Sequence, residues 1–379
     1  MATPLSIQPP ILRHASWIVV NSIQGCPKSC AYCFLTPIGQ TGVAPQEVCS
    51  PSEAIRLLVQ NKHYTPETPI CFFTSTDPFA TPFVEQKLKE ALDEFIRAGL
   101  KNPVCFVTKC CPSKAIIPTL EKMMAQSIPV IPYISYSGLN NKIERGVIAE
   151  KNRAAFPFFK DIGLPVIHYW RPLLPQNSTL DVLTAVGEYV SQYVKASVIT
   201  GLKLYKEMQE QIPFWPQVQE RMDEAVKAEC VWPKNALEKT YEIAARLGLP
   251  VYQSNSCALN YVLGREDKNA FWGSNVCTDH NKCPPFQREK CRVFYAKRNI
   301  NKADVINSLA RLKIDADERN VDVSHDQTPV VRLTGLKVDT AAIATLREQL
   351  NAVIETKFDR GYYWGASIAG EKPFVVEDD

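Results

Sequence analysis

The chain has 379 residues, enough to bury a full core in one large domain and to carry smaller additions. Its 43 lysines and arginines against 40 acidic residues leave a formal net charge of +3, so no global field selects nucleic acid or a membrane surface. No basic N-terminal segment leads into an apolar run and no stretch has the length of a bilayer span, which excludes a membrane partner and points to a cytoplasmic protein.

Short apolar runs alternate with amphipathic stretches through the first two thirds. Residues 16–22 read as a strand, 52–60 as a helix after Pro51, and 69–74 as the next strand. Apolar positions at helical spacing (Phe83, Leu88, Leu92, Phe95, Ile96) predict a helix over 83–98, closed by Gly99 and Pro103 before a strand at 104–108. A helix at 116–125, a strand at 130–136, a helix at 151–161 and a strand at 165–171 repeat the pattern. Helices at 180–194 and 237–247 lead to strands at 196–200 and 251–254. Such alternation predicts an α/β fold with a parallel sheet and helical crossovers, closed or partly closed into a barrel. The segments after the strands then share one mouth: 25–33, 74–79, Lys109, Ser137 and Cys257. Beyond Cys291 the composition changes; 302–313 reads as helix, 329–336 as strand and 339–356 as helix, a small α+β appendage.

Thirteen cysteines exceed what packing needs in a chain without an export signal, where disulfides are disfavoured, so metal ligation becomes the leading explanation. Cys49, Cys71, Cys105, Cys110, Cys111 and Cys230 read as ordinary small buried residues. Cys26, Cys30 and Cys33 fall within eight residues on one loop (GCPKSCAYC), a spacing that lets three thiolates converge on three irons of a cubane and leaves the fourth iron open. A structural zinc normally takes four protein ligands, and no further cysteine or histidine follows until Cys49.

CxxxCxxC is the spacing of the radical S-adenosylmethionine superfamily, which this chain resembles. The resemblance implies that the open iron of a [4Fe-4S] cluster chelates S-adenosylmethionine and that reductive cleavage yields a 5′-deoxyadenosyl radical, with a reductant such as flavodoxin or ferredoxin as partner. It also implies a partial (β/α)6 radical SAM barrel over 1–256, a cysteine-rich auxiliary-cluster region over 257–300 and the α+β appendage over 301–379. Within the superfamily the chain looks like the branch that includes spore photoproduct lyase. The shared pieces, in order, are GCPKSCAYCFL (25–35), FTSTDPF (73–79), PVCFVTK (103–109), ISYSGLNNKIERG (134–146) and GLPVIHYWRPLLPQN (163–177). By that similarity Tyr32 packs on adenine, and Thr74, Ser75 and Asp77 occupy the segment that receives the methionine amino group. Lys109 meets the carboxylate or ribose, Ser135 or Ser137 bonds near the ribose, and Arg171 lines the next strand end. Helix capping is the competing use of the serines and the threonine. The lyase has a hydrogen-donating cysteine immediately before its Thr-Ser pair; here Phe73 stands there, and Cys71, expected on the same strand face, is the candidate in its place.

Cys257, Cys277, Cys283 and Cys291 form a second group in a span rich in polar and turn residues. Four thiolates suit a second [4Fe-4S] cluster or a zinc tetrahedron, serving as structural clasp, electron relay or substrate site. His280 is an alternative ligand in that span. The expected activity is hydrogen abstraction from an organic substrate: a nucleobase, nucleotide or nucleic acid first, a natural product or peptide next. A non-catalytic iron-sulfur carrier is the competing class. Lys302, Arg311, Lys313, Arg319, Arg332 and Lys337, with Tyr362, Tyr363 and Trp364, offer the appendage either a nucleic-acid surface or solvated charges around a core edge.

Overall fold

The computed structural model describes residues 6–212, 215–228, 230–268, 283–296, 298–325, 328–356 and 374–376. The strand predicted at 329–336 belongs to a separate sheet, while the seven strands predicted between residues 16 and 254 join an N-terminal strand the sequence did not announce in one eight-stranded sheet. Its members are β1 (Ile11–Arg13), β2 (Ile18–Val20), β3 (Ile70–Phe72), β4 (Val104–Thr108), β5 (Val130–Ser135), β6 (Val166–Trp170), β7 (Val194–Ile199) and β8 (Val251–Tyr252), neighbours in that order. β1 is antiparallel to β2, and every other pairing is parallel. The sheet is open, with β1 and β8 at its edges, so the expected mixed α/β fold is present without barrel closure.

Helices Pro51–Val59, Pro82–Arg97, Ile117–Ala125, Ala149–Asp161, Leu180–Val190 and Ala236–Arg246 lie in the crossovers. Ser50, Thr81 and Thr179 start three of them by accepting a backbone N–H of the first turn, and Pro51 and Pro82 sit where no intrahelical donor is needed. Their apolar faces pack on one side of the sheet against Ile18, Ile70, Phe72, Val104, Phe106 and Val166. The two-residue period of a strand turns Val19, Cys71, Cys105, Ile131, Tyr133 and Ile167 to the other, inner side, which helix Asn255–Val262 covers through Ala258 and Leu259. Because the long strands run parallel, the loops after β2 to β8 emerge along one edge, the mouth.

Two predicted helices are too long. The stretch 180–194 stops at Val190, and Val194 already opens β7. The stretch 339–356 stops at Leu350, where Asn351 turns left-handed (φ 51°), and the β-branched Val353–Thr356 forms a strand parallel to Pro329–Leu333.

The described part of the appendage packs helices Lys302–Arg311 and Thr340–Leu350 on a three-stranded sheet, with Val305, Leu309, Val331, Ile343 and Leu346 in its own core. It docks on β1 and on the chain leading into β3. Arg13 donates to Glu348 at 2.7 Å, with the two side chains only 1% and 6% exposed. Thr68 donates to the same carboxylate oxygen at 3.1 Å, and the His63 Nδ1 and Thr345 hydroxyl lie 2.9 Å apart. Arg13 pairs with Ile18 at the start of β2, so this contact lies at the end of the sheet opposite the mouth. Two of its exposed cations have acidic partners, Arg319 with Asp317 and Arg332 with Glu355.

Truncating one partner of a sealed ion pair strands the other charge, at a cost of about 3–5 kcal/mol. Glu348→Ala is expected to lower stability by that order in urea unfolding, and Arg13→Met with Glu348→Leu to recover most of it.

Candidate functional site

The loop 25–33 has no regular structure, so its backbone groups need partners from elsewhere. Segment 40–43 supplies one set: Cys26 N–H donates to Gln40 O (2.8 Å), Val43 N–H to Cys26 O (3.0 Å) and Gly42 N–H to Lys28 O (2.8 Å). Segment 143–145 supplies another, accepting from Ala31 N–H at Ile143 O (2.9 Å) and from Ser29 N–H at Arg145 O (3.1 Å). Gly25, at φ 94°, is required as glycine, since a Cβ would meet Ala44 O at 2.8 Å. It donates to Ser75 O at 3.0 Å and so joins the first mouth loop to the second.

Cys26 and Cys30 are buried and Cys33 is half-buried. The three thiols lie within electrostatic reach of one another: Cys33 acts on Cys26 and on Cys30, and Cys26 acts on Cys30. Burial pushes Cys26 up to about 11 and Cys30 up to about 12, opposed by the Lys28 and Lys109 ammonium groups respectively. Burial likewise raises Cys33. Among the described residues no three His, Cys, Asp or Glu side chains converge on a single-ion position. The donor set of one loop, three sulfurs with cations beside them, suits an anionic thiolate-held cluster that keeps one iron free.

Beneath the loop lies Asp77, a buried carboxylate that accepts four hydrogen bonds. Its Oδ1 takes the Thr108 hydroxyl (2.8 Å) and Phe79 N–H (3.1 Å), and its Oδ2 takes Lys109 N–H (2.8 Å) and Lys28 Nζ (3.1 Å). Burial opposes ionisation, yet Lys28 and these donors hold the carboxyl below its usual range. Lys28 Nζ also donates to Cys110 Sγ at 3.0 Å. A cleft of about 330 Å³ opens beside these groups, lined among others by Lys28, Phe79, Thr81, Lys109, Cys110 and Lys151.

Lys109, at the end of β4, donates to Glu144 (2.8 Å) and to the Ser135 hydroxyl (2.9 Å), and its ammonium lies 5.6 Å from the centre of the Tyr32 ring. Glu144 also accepts from the Tyr32 and Ser137 hydroxyls. A cation and an anion thus stand side by side within reach of Cys30, together with Tyr32, Lys109, Ser135 and Ser137. Glu144 was not singled out from the sequence although it lies in ISYSGLNNKIERG, because a charged loop residue shows its burial only after folding. The same holds for Asn177, which donates to Ser137 O (2.7 Å) and Pro172 O (3.0 Å).

Thr74 and Ser75 are held by a third unforeseen residue, Asn21: its Oδ1 accepts both backbone N–H groups, at 2.7 and 3.2 Å. Phe73 just before them is left-handed (φ 60°), which sends its ring to the helix side against Phe72 and breaks the strand alternation. Cys71 and Phe73 therefore lie on opposite faces, contrary to the sequence expectation: Cys71 is sealed on the inner face beside Cys105. Arg171 follows β6 and donates to the Tyr169 hydroxyl at 2.7 Å, above the Tyr169 ring.

In the second group, Cys257 and Cys283 both pack against the inner-face core. Cys283 Sγ donates to the Tyr252 hydroxyl at 3.9 Å, and Tyr252 is raised by burial and then by Cys283 and Cys257. Cys291, on helix Pro285–Ala296, acts electrostatically with Cys283 and is pushed up to about 12 by burial. Cys277 and His280 lie outside the described residues, as do Tyr362, Tyr363 and Trp364.

Part of the chain is similar to solved structures at low identity, each with a TM-score under 0.5. A spore photoproduct lyase complexed with dinucleoside spore photoproduct shares 12% identity over 65% of this chain and 80% of that one, with a TM-score of 0.46. SuiB of Streptococcus suis bound to S-adenosylmethionine shares 13% identity over 55% of this chain and 47% of its own (TM-score 0.39). TsrM of Kitasatospora setae, a radical S-adenosylmethionine methyltransferase with cobalamin and a [4Fe-4S] cluster bound, shares 14% over 52% and 38% (TM-score 0.36). No protein-family model matches the chain, and no curated protein matches it. Among the described residues no helix is long and apolar enough to cross a membrane.

His168 on β6 donates through Nε2 to Tyr136 O (2.7 Å), which leaves Nδ1 to accept the Ser197 hydroxyl (3.0 Å) and fixes a neutral ring under the mouth. Burial lowers its pKa to about 3. The unfolded chain binds this proton below about pH 6.5 and the folded chain does not, so stability falls as pH drops from 6.5 toward 3, by about 1.4 kcal/mol per pH unit for one proton. His168→Gln is expected to flatten the pH dependence of urea unfolding in that window.

Proposed function

We propose that the chain is a radical S-adenosylmethionine enzyme that abstracts a hydrogen atom from an organic substrate. The observation that carries this reading is the placement of the Cys26–Cys33 loop beside the Lys109–Glu144 pair at the mouth of the parallel sheet. Cys26, Cys30 and Cys33 would hold a [4Fe-4S] cluster. When bound, this cluster supplies the electron that cleaves the cosubstrate to methionine and a 5′-deoxyadenosyl radical. Lys109 and Glu144 offer opposite charges to the zwitterionic amino-acid end, an arrangement suited to paired charge recognition. Tyr32 packs on adenine, and Thr74, Ser75, Ser135, Ser137 and Arg171 line the remaining contacts. Cys71, already on the inner face, is the candidate hydrogen donor. Flavodoxin or ferredoxin delivers the electron.

Cys257, Cys277, Cys283 and Cys291 form an auxiliary site for a second [4Fe-4S] cluster or zinc; Cys257 and Cys283 sit beside Tyr252 at the inner face. For the substrate, the ordered motifs over 25–177 favour a nucleobase, nucleotide or nucleic acid. A natural product or peptide is the alternative. The appendage docks at the far end of the sheet through Arg13, Thr68 and Glu348, and its remaining cations are the alternative nucleic-acid surface.

Anaerobic reconstitution and dithionite reduction are expected to convert S-adenosylmethionine to 5′-deoxyadenosine, and Cys30→Ala to abolish that product. An intact cluster that cleaves no cosubstrate and shows no spectroscopic change on its addition would overturn the reading. Iron analysis of the reconstituted protein is expected to give about eight irons per chain, the content of two [4Fe-4S] clusters, with about four remaining in Cys257→Ala/Cys283→Ala. Unchanged iron in that variant rules out the auxiliary cluster.

A further inference from the structure

We propose that Asp77 is a positioning residue that locks the three-cysteine loop and Lys109 together, and is not a ligand of the cosubstrate ammonium. The inference rests on the reading above and narrows it. An ionised carboxylate has about four acceptor sites, and at Asp77 four donors already use them. Those donors come from three parts of the chain: Lys28 between Cys26 and Cys30, Phe79 in the loop after β3, and Thr108 with Lys109 at the end of β4. Lys28 and Asp77 have side chains only 7% and 8% exposed, so their pairing is sealed from water and weakly screened.

The two ends of the lock act differently. On the loop, the Lys28 backbone carbonyl is held by Gly42 N–H and the Thr41 hydroxyl (3.0 Å), while its side chain reaches Asp77 and Cys110, so the peptide between the first two thiols is fixed at both ends. On the strand, Asp77 fixes the Lys109 backbone, which sets the point from which the Lys109 side chain reaches Glu144 and Ser135. One carboxylate thereby sets the distance between the thiols and the cation beside them. In Asp77→Asn the amide NH2 faces either the pair Lys28 and Lys109 N–H or the pair Thr108 and Phe79 N–H, so at least one donor loses its acceptor without change of side-chain volume.

The test reads the metal-free chain first. Under anaerobic reducing conditions, iodoacetamide alkylation of Cys26, Cys30 and Cys33 is followed by mass spectrometry in wild type, Asp77→Asn and Lys28→Met. Loss of a charge-assisted hydrogen bond is expected to raise the alkylation rate about tenfold or more in both variants at Cys30, the thiol whose charge environment neither substitution changes directly. After reconstitution, both variants are expected to lose iron to a chelator faster than wild type. Wild-type thiol protection combined with a large loss of cosubstrate affinity in Asp77→Asn overturns the proposal and makes Asp77 a ligand. Should Asp77→Asn not fold, Lys28→Met leaves the carboxylate intact, and unchanged protection of its thiols also overturns the proposal. The alkylation step needs no cosubstrate chemistry, so a wild-type chain that cleaves nothing sinks the functional reading separately.

Discussion

The buried ion pair between Lys28 and Asp77 is the constraint on which the mouth depends. A loop of nine residues with a glycine and a proline cannot hold three thiols in place by its own hydrogen bonds, and its neighbours on either side are loops as well. What makes the assembly definite is that each loop lends backbone donors or acceptors to another: Gly25 to Ser75, Ala31 to Ile143, Lys109 to Asp77. The Lys28 side chain crosses this network, and burial makes the crossing strong in both directions. A charge withdrawn from water is costly alone and firmly held with its partner. The thiols inherit their surroundings from that arrangement: enough desolvation to hold their protons, and enough nearby positive charge to favour an anionic ligand set.

Much of this organisation was legible before folding. The alternation of apolar runs with amphipathic stretches could only be satisfied by helices crossing between parallel strands, and once those strands were placed the cysteine loop, the Thr-Ser pair and Lys109 were bound to share an edge. What the sequence hid has one physical cause, the dependence of polar side chains on distant partners. Asn21 is 53 positions from Thr74, and Lys109 is 35 from Glu144, so neither pairing leaves a local pattern. Asp77 was visible as a candidate, yet its four donors were not, and those donors change what it can do. The direction of Phe73 was hidden for a different reason: a single residue with positive φ reverses the strand alternation, and phenylalanine gives no warning of it as glycine would. At the C-terminal side, 353–356 was taken for helix because the apolar pattern of the preceding helix runs on past Asn351.

The two ends of the sheet divide their tasks. At the end away from the mouth, Arg13, Thr68 and Glu348 tie the appendage to the edge strand through groups that no ligand can approach. At the mouth, polar side chains gather at the ends of β2 to β6, where the loops can vary without disturbing the ladder beneath. The inner face between them is apolar and aromatic, and helix Asn255–Val262 lies across it with Cys257 in its first turn. The same helix therefore fixes the position of Cys257 and the space left over the sheet.

Phe73 has a wider consequence. A bulky residue in the left-handed region carries a conformational load of about 1–3 kcal/mol that persists only because its surroundings outweigh it. Here the counterweight is the hydrophobic layer outside the sheet, where the ring is wedged with Phe72, while the bend itself aims the main chain at Asn21. The molecule thus couples its buried helix-side core mechanically to its polar rim. Thinning that layer at a distance would let the bend relax and the rim drift, so residues that never approach a reactant share in setting the geometry a reactant meets.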